Sequence, residues 1–330
     1  MADITKSETQ FLSVRDLKVE YKLGKDTIYA VNKVSFDLQK GKTLGLVGET
    51  GAGKTTIAKA IMRILPSHSL KTLHGEVSLE GVNVLALPES QMRTLRGKRI
   101  SMIFQDPMTA LNPLKTVVDQ IAESIRLHQH KSKADARIDA IKMLETVGIS
   151  ADRADVYPHQ FSGGMKQRVV IAMALACDPD LLIADEPTTA LDVTIQAQVL
   201  ELVRKLQKET GTSMILITHD LGVVAETCDS VAVVYAGEVI EYGTKEDVFD
   251  HPTHPYTIGL FGALPDLKKN VKRLSPVKGL PPDPSEEYTD SCPFAARCPH
   301  VSERCHTSKP DSYEISDGHT VKCFLAKEMK

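Results

Sequence analysis

The chain has 330 residues, enough for one large domain with a smaller one, or for two of modest size. Apolar residues make up 42% and charged residues 25%, an ordinary globular composition rather than that of a fibrous, disordered or membrane-embedded chain. The net charge of −3 offers no overall electrostatic attraction to nucleic acid, so a nucleic-acid partner is not expected.

In chain order, the opening stretch MADITKSETQ has no basic segment followed by an apolar run, so no signal peptide is expected. Residues 11–48 predict short strands: FLSVRDLKVEY, then AVNKVSFDL, then KTLGLVG. Residues 54–64 predict a helix. Residues 114–149 predict two more, the second with Ile138, Ile141, Leu144 and Val147 at near-helical spacing. A helix is expected over 165–178. Two buried-type strands, DLLIAD and SMILIT, follow with a helix near 193–210 between them. This alternation predicts an α/β fold with a largely parallel sheet. VAVVYAGEVIEYG reads as a hairpin turning at Ala236-Gly237. From about 262 proline and charge dominate, which places a domain boundary there. No apolar run reaches the roughly 18 residues of a membrane span. The chain is therefore expected in the cytosol, or bound peripherally to a membrane.

GETGAGKTT fits the phosphate-binding pattern G-x-x-x-x-G-K-[ST], and it follows a predicted strand and opens a predicted helix. Glycines there let backbone N–H groups turn inward around phosphate oxygens, and the helix N-terminus adds its positive end. The expected cradle is Gly48, Glu49, Thr50, Gly51, Ala52, Gly53, Lys54, Thr55 and Thr56. Lys54 is expected at the β- and γ-phosphates of a nucleotide, and Thr55 at Mg²⁺. LLIADEP ends a buried strand in two carboxylates. Asp185 is placed to hold Mg²⁺ and Glu186 to act as general base on the attacking water.

Between these motifs lies FSGGMKQR, residues 161–168. A phosphate loop, then Ser-Gly-Gly, then an apolar run ending in Asp-Glu, then a histidine after a strand resembles the ATP-binding cassette ATPases. The order covers residues 11 to about 261. MIFQDP, with Gln105, resembles the family's Q-loop; TALD, ending at Asp192, its D-loop; ITHD, with His219, its switch histidine. Tyr21 resembles the aromatic residue that stacks on adenine. The resemblance implies a RecA-like core, an N-terminal antiparallel β subdomain and a helical subdomain over about 86–180. It implies that Gln105 also approaches Mg²⁺, and that His219 senses the γ-phosphate. It implies that Ser162, Gly163 and Gly164 complete an ATP site on a partner cassette. Phe161 stands where leucine is common and Met165 where glutamine is common, leaving the Ser-Gly-Gly core intact.

Four of the six cysteines, Cys292, Cys298, Cys305 and Cys323, fall within the last 39 residues. In a reducing cytosol such clustering points to metal ligands before disulfides. The gaps, C-x5-C-x6-C-x17-C, contain no tight pair, so spacing alone leaves zinc and an iron–sulfur cluster both open. Along essentially the whole chain the sequence resembles the ATP-binding subunits of dipeptide and oligopeptide importers. That resemblance implies a [4Fe–4S] cluster on these four cysteines in a tail over 262–330, with Zn²⁺ as the alternative. His251 and His254, beside prolines, are read as loop residues rather than ligands. Cys177 and Cys228, in apolar settings, are expected to be buried and inert.

The implied role is the ATP-hydrolysing motor of a peptide importer on the cytoplasmic face of the membrane. Its implied partners are a second, homologous cassette, two integral membrane permease subunits and, indirectly, an extracellular peptide-binding protein. The alternative is a soluble cassette ATPase outside transport, of the kind accessory to phosphonate breakdown. A chromosome-associated cassette is disfavoured, because too few residues separate the phosphate loop from Ser162 to hold an inserted coiled coil.

Overall fold

Apolar alternation in the first forty residues becomes two long strands, β1 (Gln10–Leu23) and β2 (Asp26–Gln39). The computed structural model describes residues 10–189, 192–262 and 277–328. These fall into two units. The first gathers the described residues of Met1–Leu38, Thr43–Leu85 and Thr218–Lys330; the second comprises Gln39–Lys42 and the described residues of Ala86–Ile217. Ala190 and Leu191 of the expected D-loop, and residues 263–276 of the proline- and charge-rich stretch, lie outside the described residues.

In the first unit, β3 (Thr43–Val47) is buried throughout and leads into the phosphate loop. Two further strands, β4 (Leu70–Leu79) and β5 (Val82–Asn83), complete an antiparallel sheet of order β2-β1-β4-β5. Its register, Leu12 opposite Leu79 and Val14 opposite Val77, puts fully buried side chains on one face. β4 was not among the expected strands; its apolar residues are interrupted by Lys71, Thr72, His74 and Glu76, so no run stands out.

In the second unit, β6 (Ile100–Ile103), β7 (Leu181–Asp185) and β8 (Ser213–Ile217) lie parallel, Ile100 beside Leu181 and Leu181 beside Ser213. All fourteen residues of these strands are buried, which is why β7 and β8 read as apolar runs rather than alternations; β6, four residues with Ser101 among them, was not among the expected strands. The helices Val117–Gln129 and Lys133–Thr146 match the two expected between 114 and 149, each opened by a hydroxyl cap, Thr116 and Ser132. The expected inward face of the second helix shifts. Ala136, Ala140 and Leu144 are buried, whereas Ile138 is 53% exposed. Small alanines let the two helices approach closely, so the seam follows them and not the bulkier isoleucines.

Back in the first unit, β9 (Ser230–Tyr235) runs parallel to β3 and turns at Ala236-Gly237 into β10 (Glu238–Thr244). Both turn residues have positive φ, 49° and 74°, as a two-residue hairpin requires. The tail adds β11 (Tyr313–Ser316) and β12 (His319–Val321), giving the order β11-β12-β10-β9-β3. The tail is thus tied to β10 by strand pairing, Glu241 opposite Val321, and by ion pairs from Lys309 (2.6 Å) and Lys322 (3.1 Å) to Glu238.

Glu241 is fully buried and its carboxylate is saturated. It accepts from the backbone N–H groups of Thr253 (2.8 Å) and His254 (3.0 Å) and faces His319 Nε2 at 3.0 Å. Glu241→Ala is expected to lower stability by about 3 kcal/mol or more, since each buried donor left without an acceptor costs about 1–3 kcal/mol. A denaturant titration checks this; an unchanged midpoint would remove Glu241 from that role.

Candidate functional site

The phosphate loop joins β3 to the helix Lys54–Met62 and is set by two glycines. Gly48 has φ 150° and Gly53 φ 105°; a Cβ would stand 2.1 Å from the Val234 carbonyl oxygen at the first and 2.4 Å from that of Ala30 at the second. Only glycine allows the loop to run so close to neighbouring backbone. The loop is also pinned to the hairpin turn, since Gly237 N–H donates to the Ala52 carbonyl (3.0 Å). Thr50 and Gly51 form its exposed crest. Lys54 is 5% exposed, and its Nζ donates to the carbonyls of Gly48 (2.8 Å) and Glu49 (2.9 Å). The cation is therefore held inside the loop. Thr55 and Thr56 follow in the first helical turn. Tyr21, half-buried in β1, shares a side-chain hydrogen bond with Thr56, and burial raises its phenol above the usual range.

Glu49 is held from two sides. Its backbone N–H donates to Tyr256 Oη (2.9 Å), and its carboxylate receives both terminal nitrogens of Arg297 at 2.7 and 2.9 Å. The sequence presents Glu49 as a residue of the phosphate loop, with nothing to join it to Arg297. A separation of 248 positions hides that pairing from any local pattern.

In the second unit, β7 delivers Asp185 (2% exposed) and Glu186 (9% exposed). Glu186 has φ 48°, a left-handed conformation uncommon for glutamate, and its N–H donates to the Ile217 carbonyl of the neighbouring strand at 2.8 Å. Its Oε2 accepts from Gln105 Nε2 (2.7 Å) and from Thr189 Oγ1 (2.9 Å). The Q-loop glutamine and the expected base are thus brought together. Thr189 is a site residue that sequence reading missed; its place three residues after the carboxylate pair was the available signal. The Ser-Gly-Gly element opens the helix Gly163–Leu175, with the Ser162 hydroxyl accepting from Met165 N–H. Phe161 is buried beneath the Arg153 guanidinium, 4.8 Å from its ring centroid, so phenylalanine fills the position where leucine is common. Asp192 caps the next helix, accepting from Ile195 N–H at 3.0 Å.

His219, expected as the switch histidine, lies exposed in the turn after β8. The next residue, Asp220, caps the helix Leu221–Thr227 through the N–H groups of Gly222 and Val223.

The four tail cysteines converge. Cys292, Cys298, Cys305 and Cys323 all line one cavity of about 190 Å³, walled also by Phe294, His254 and Phe324. Cys292 N–H donates to the Cys305 carbonyl at 2.9 Å, which closes the loop between them. Burial pushes the Cys292 thiol up to about 12, and the neighbouring cysteines add to the rise. Burial also raises Cys298 and Cys323. Among the described residues no group of three or more His, Cys, Asp or Glu is arranged to hold a single metal ion. His254 acts as a helix cap: its ring Nδ1 accepts from Tyr256 N–H (3.0 Å) at the start of the helix Pro255–Phe261, and burial lowers the imidazole to about 4. Cys177 and Cys228 are buried, and burial raises them to about 11 and 12, which keeps both as unreactive thiols at neutral pH.

Comparison with known proteins identifies relatives along the chain. A family model described as ABC transporter matches residues 31–189, and one described as oligopeptide/dipeptide transporter, C-terminal region, matches 240–305. The chain is 52% identical over 316 residues to the dipeptide transport ATP-binding protein DppD of Bacillus subtilis, covering 95% of this chain and 94% of that one. It is 47% identical over 319 residues to the oligopeptide transport ATP-binding protein OppD of Salmonella typhimurium, covering 96% and 94%. Among solved structures, the dimeric post-hydrolysis state of the ATP-binding cassette MJ0796 bound to ADP and Pi matches with a TM-score of 0.64 and 27% identity. It covers 71% of this chain and 98% of that one. CbiO1 from Clostridium perfringens, part of the ABC transporter complex cbiONQ, matches at 0.62 and 27%, covering 74% and 92%.

Proposed function

Since the chain belongs to the ATP-binding subunits of dipeptide and oligopeptide ABC transporters, an ATPase family, we propose that it is the motor that drives peptide uptake through separate membrane subunits. The observation that carries this is the near-complete span of the likeness, 95% of the chain, with the tail included. Among the described residues no helix is long and apolar enough to cross a membrane, so passage across the bilayer is assigned to two permease subunits. The chain works at their cytoplasmic face as a peripheral subunit. A peptide-binding protein on the other side delivers the substrate. Nucleic acid has no part. The relatives do not favour the soluble, non-transport alternative.

The residues take the following roles. Lys54 and the amides of Gly48–Thr56 hold the β- and γ-phosphates; Tyr21 stacks on the adenine. Thr55, Asp185 and Gln105 are the residues that would hold Mg²⁺, which would neutralise charge on the leaving phosphate. Glu186 takes the proton of the attacking water as its oxygen bonds to the γ-phosphorus and the bond to ADP breaks. His219 donates to the γ-phosphate. Ser162, Gly163 and Gly164, with Asp192, face the ATP of a second, non-identical cassette. A pull-down from detergent-solubilised membranes tests the assembly: two integral membrane subunits and a second cassette are expected. Recovery of the chain without them would favour the soluble reading.

For the tail we propose a [4Fe–4S] cluster on Cys292, Cys298, Cys305 and Cys323. The observation behind it is that all four line one cavity. Zn²⁺ is the alternative occupant of the same four thiols. Bound there, the cluster cross-links a segment with little apolar surface of its own. Anaerobic purification should give brown protein with iron and sulfide in equal amount. Colourless protein with stoichiometric zinc would establish the zinc alternative, and metal-free protein with two disulfides would defeat both.

A further inference from the structure

A loop that binds a polyanion carries its own anion at Glu49. The Glu49 carbonyl already accepts from Lys54 Nζ at 2.9 Å, so the residue that helps hold the cation the phosphates need also carries a carboxylate of its own. Left free, it would repel the nucleotide and compete for Lys54. It is not left free. Arg297 receives it in a two-pronged ion pair, Nη1 to Oε2 at 2.7 Å and Nη2 to Oε1 at 2.9 Å, and the arginine side chain is only 5% exposed. Such paired, charge-assisted bonds fix orientation as well as charge.

Arg297 is itself held firmly. Its Nε donates to the Lys278 carbonyl at 2.9 Å, and its guanidinium lies 5.7 Å from the Tyr235 ring centroid. The turn that carries it begins at Phe294, which packs edge-on against Tyr235 (5.2 Å) and against Tyr256 (5.5 Å). Tyr256 in turn accepts from the Glu49 backbone N–H. The same Phe294 lines the cysteine cavity, and Cys298 directly follows Arg297. One short turn of the tail therefore reaches a cysteine wall at one end and the phosphate loop at the other.

We propose that Arg297 is a positioning residue for ATP binding. It acts through Glu49, holding the carboxylate out of competition for Lys54 and cancelling its charge, so that the cysteine region sets the affinity of the phosphate loop. This goes beyond the motor assignment but rests on the reading of Gly48–Thr56 as an ATP cradle.

The test is titration of the full chain with a slowly hydrolysed ATP analogue and Mg²⁺ at low and high salt. Arg297→Gln should raise Kd roughly tenfold, within the 5–150-fold usual for coupled sites. The loss should shrink at high salt, as an exposed like-charge repulsion does. Glu49→Gln added to Arg297→Gln should restore Kd to within about twofold of the parent, because no carboxylate remains to be masked. Parent-like affinity in a folded Arg297→Gln chain overturns the proposal. So does a double variant as weak as Arg297→Gln alone, which would mark Arg297 as a merely structural prop. If Arg297→Gln does not fold, the charge-free double variant decides alone: binding near the parent's supports masking, and a tenfold loss overturns it. Binding of the analogue to the parent tests the cradle itself, so failure of that reading is seen separately.

Discussion

Glu186→Gln is expected to abolish ATP turnover while leaving ATP bound. The amide keeps the shape of the side chain and can still meet Gln105 and Thr189, which now flank Oε2 at 2.7 and 2.9 Å. It cannot take a proton from water. Loss of a general base costs about 10²–10⁴-fold in rate. The backbone at this residue is fixed in a left-handed conformation by a bond to Ile217, so the substitution should not displace the group. The measurement is phosphate release by the assembled complex beside nucleotide retention on a filter. Turnover close to the parent's would remove Glu186 from the role of base.

Lys54→Ala is expected to fail earlier, at binding. Its ammonium is buried and bonded to two carbonyls of its own loop, so it is already placed where phosphates would replace those carbonyls. Two charge-assisted contacts at about 1.5–3 kcal/mol each correspond to a loss of about 10²-fold or more in affinity. Nucleotide titration of the purified chain checks it. An unchanged Kd would take the Gly48–Thr56 loop out of the site. The two variants thus separate binding from chemistry: one retains ATP without splitting it, the other does not retain it.

What the sequence made legible follows from how local each signal is. The phosphate loop could be read because its Gly, Lys and Thr stand at a fixed short spacing, although the backbone that a Cβ would strike at Gly48 and Gly53 belongs to the distant Val234 and Ala30. β7 and β8 could be read as buried because both faces are covered and their centres are unbroken apolar runs; β6, only four residues long and interrupted by Ser101, was not foreseen. The helix over Lys133–Thr146 was legible as a helix but not in its facing, because its inward seam is built from alanines that hydropathy undervalues. β4 was hidden by polar residues on its open face. Least legible were the long-range ties. Nothing local couples Glu49 to Arg297, or Glu241 to His319, since each pair is made by the fold and not by spacing. The cysteines stood out by composition alone, yet their gathering around one cavity depends on the Cys292–Cys305 backbone bond and on the aromatic wall of Phe294 and Phe324.

Peptide uptake tests the central claim most directly. The complex recovered with this chain, placed in proteoliposomes with ATP on the side of the cassettes, should accumulate a labelled dipeptide or oligopeptide supplied with its binding protein. Accumulation should stop when Glu186→Gln replaces the parent chain in an otherwise intact complex. Undiminished uptake in that variant complex, or ATP hydrolysis with no peptide movement in the parent, would contradict the account.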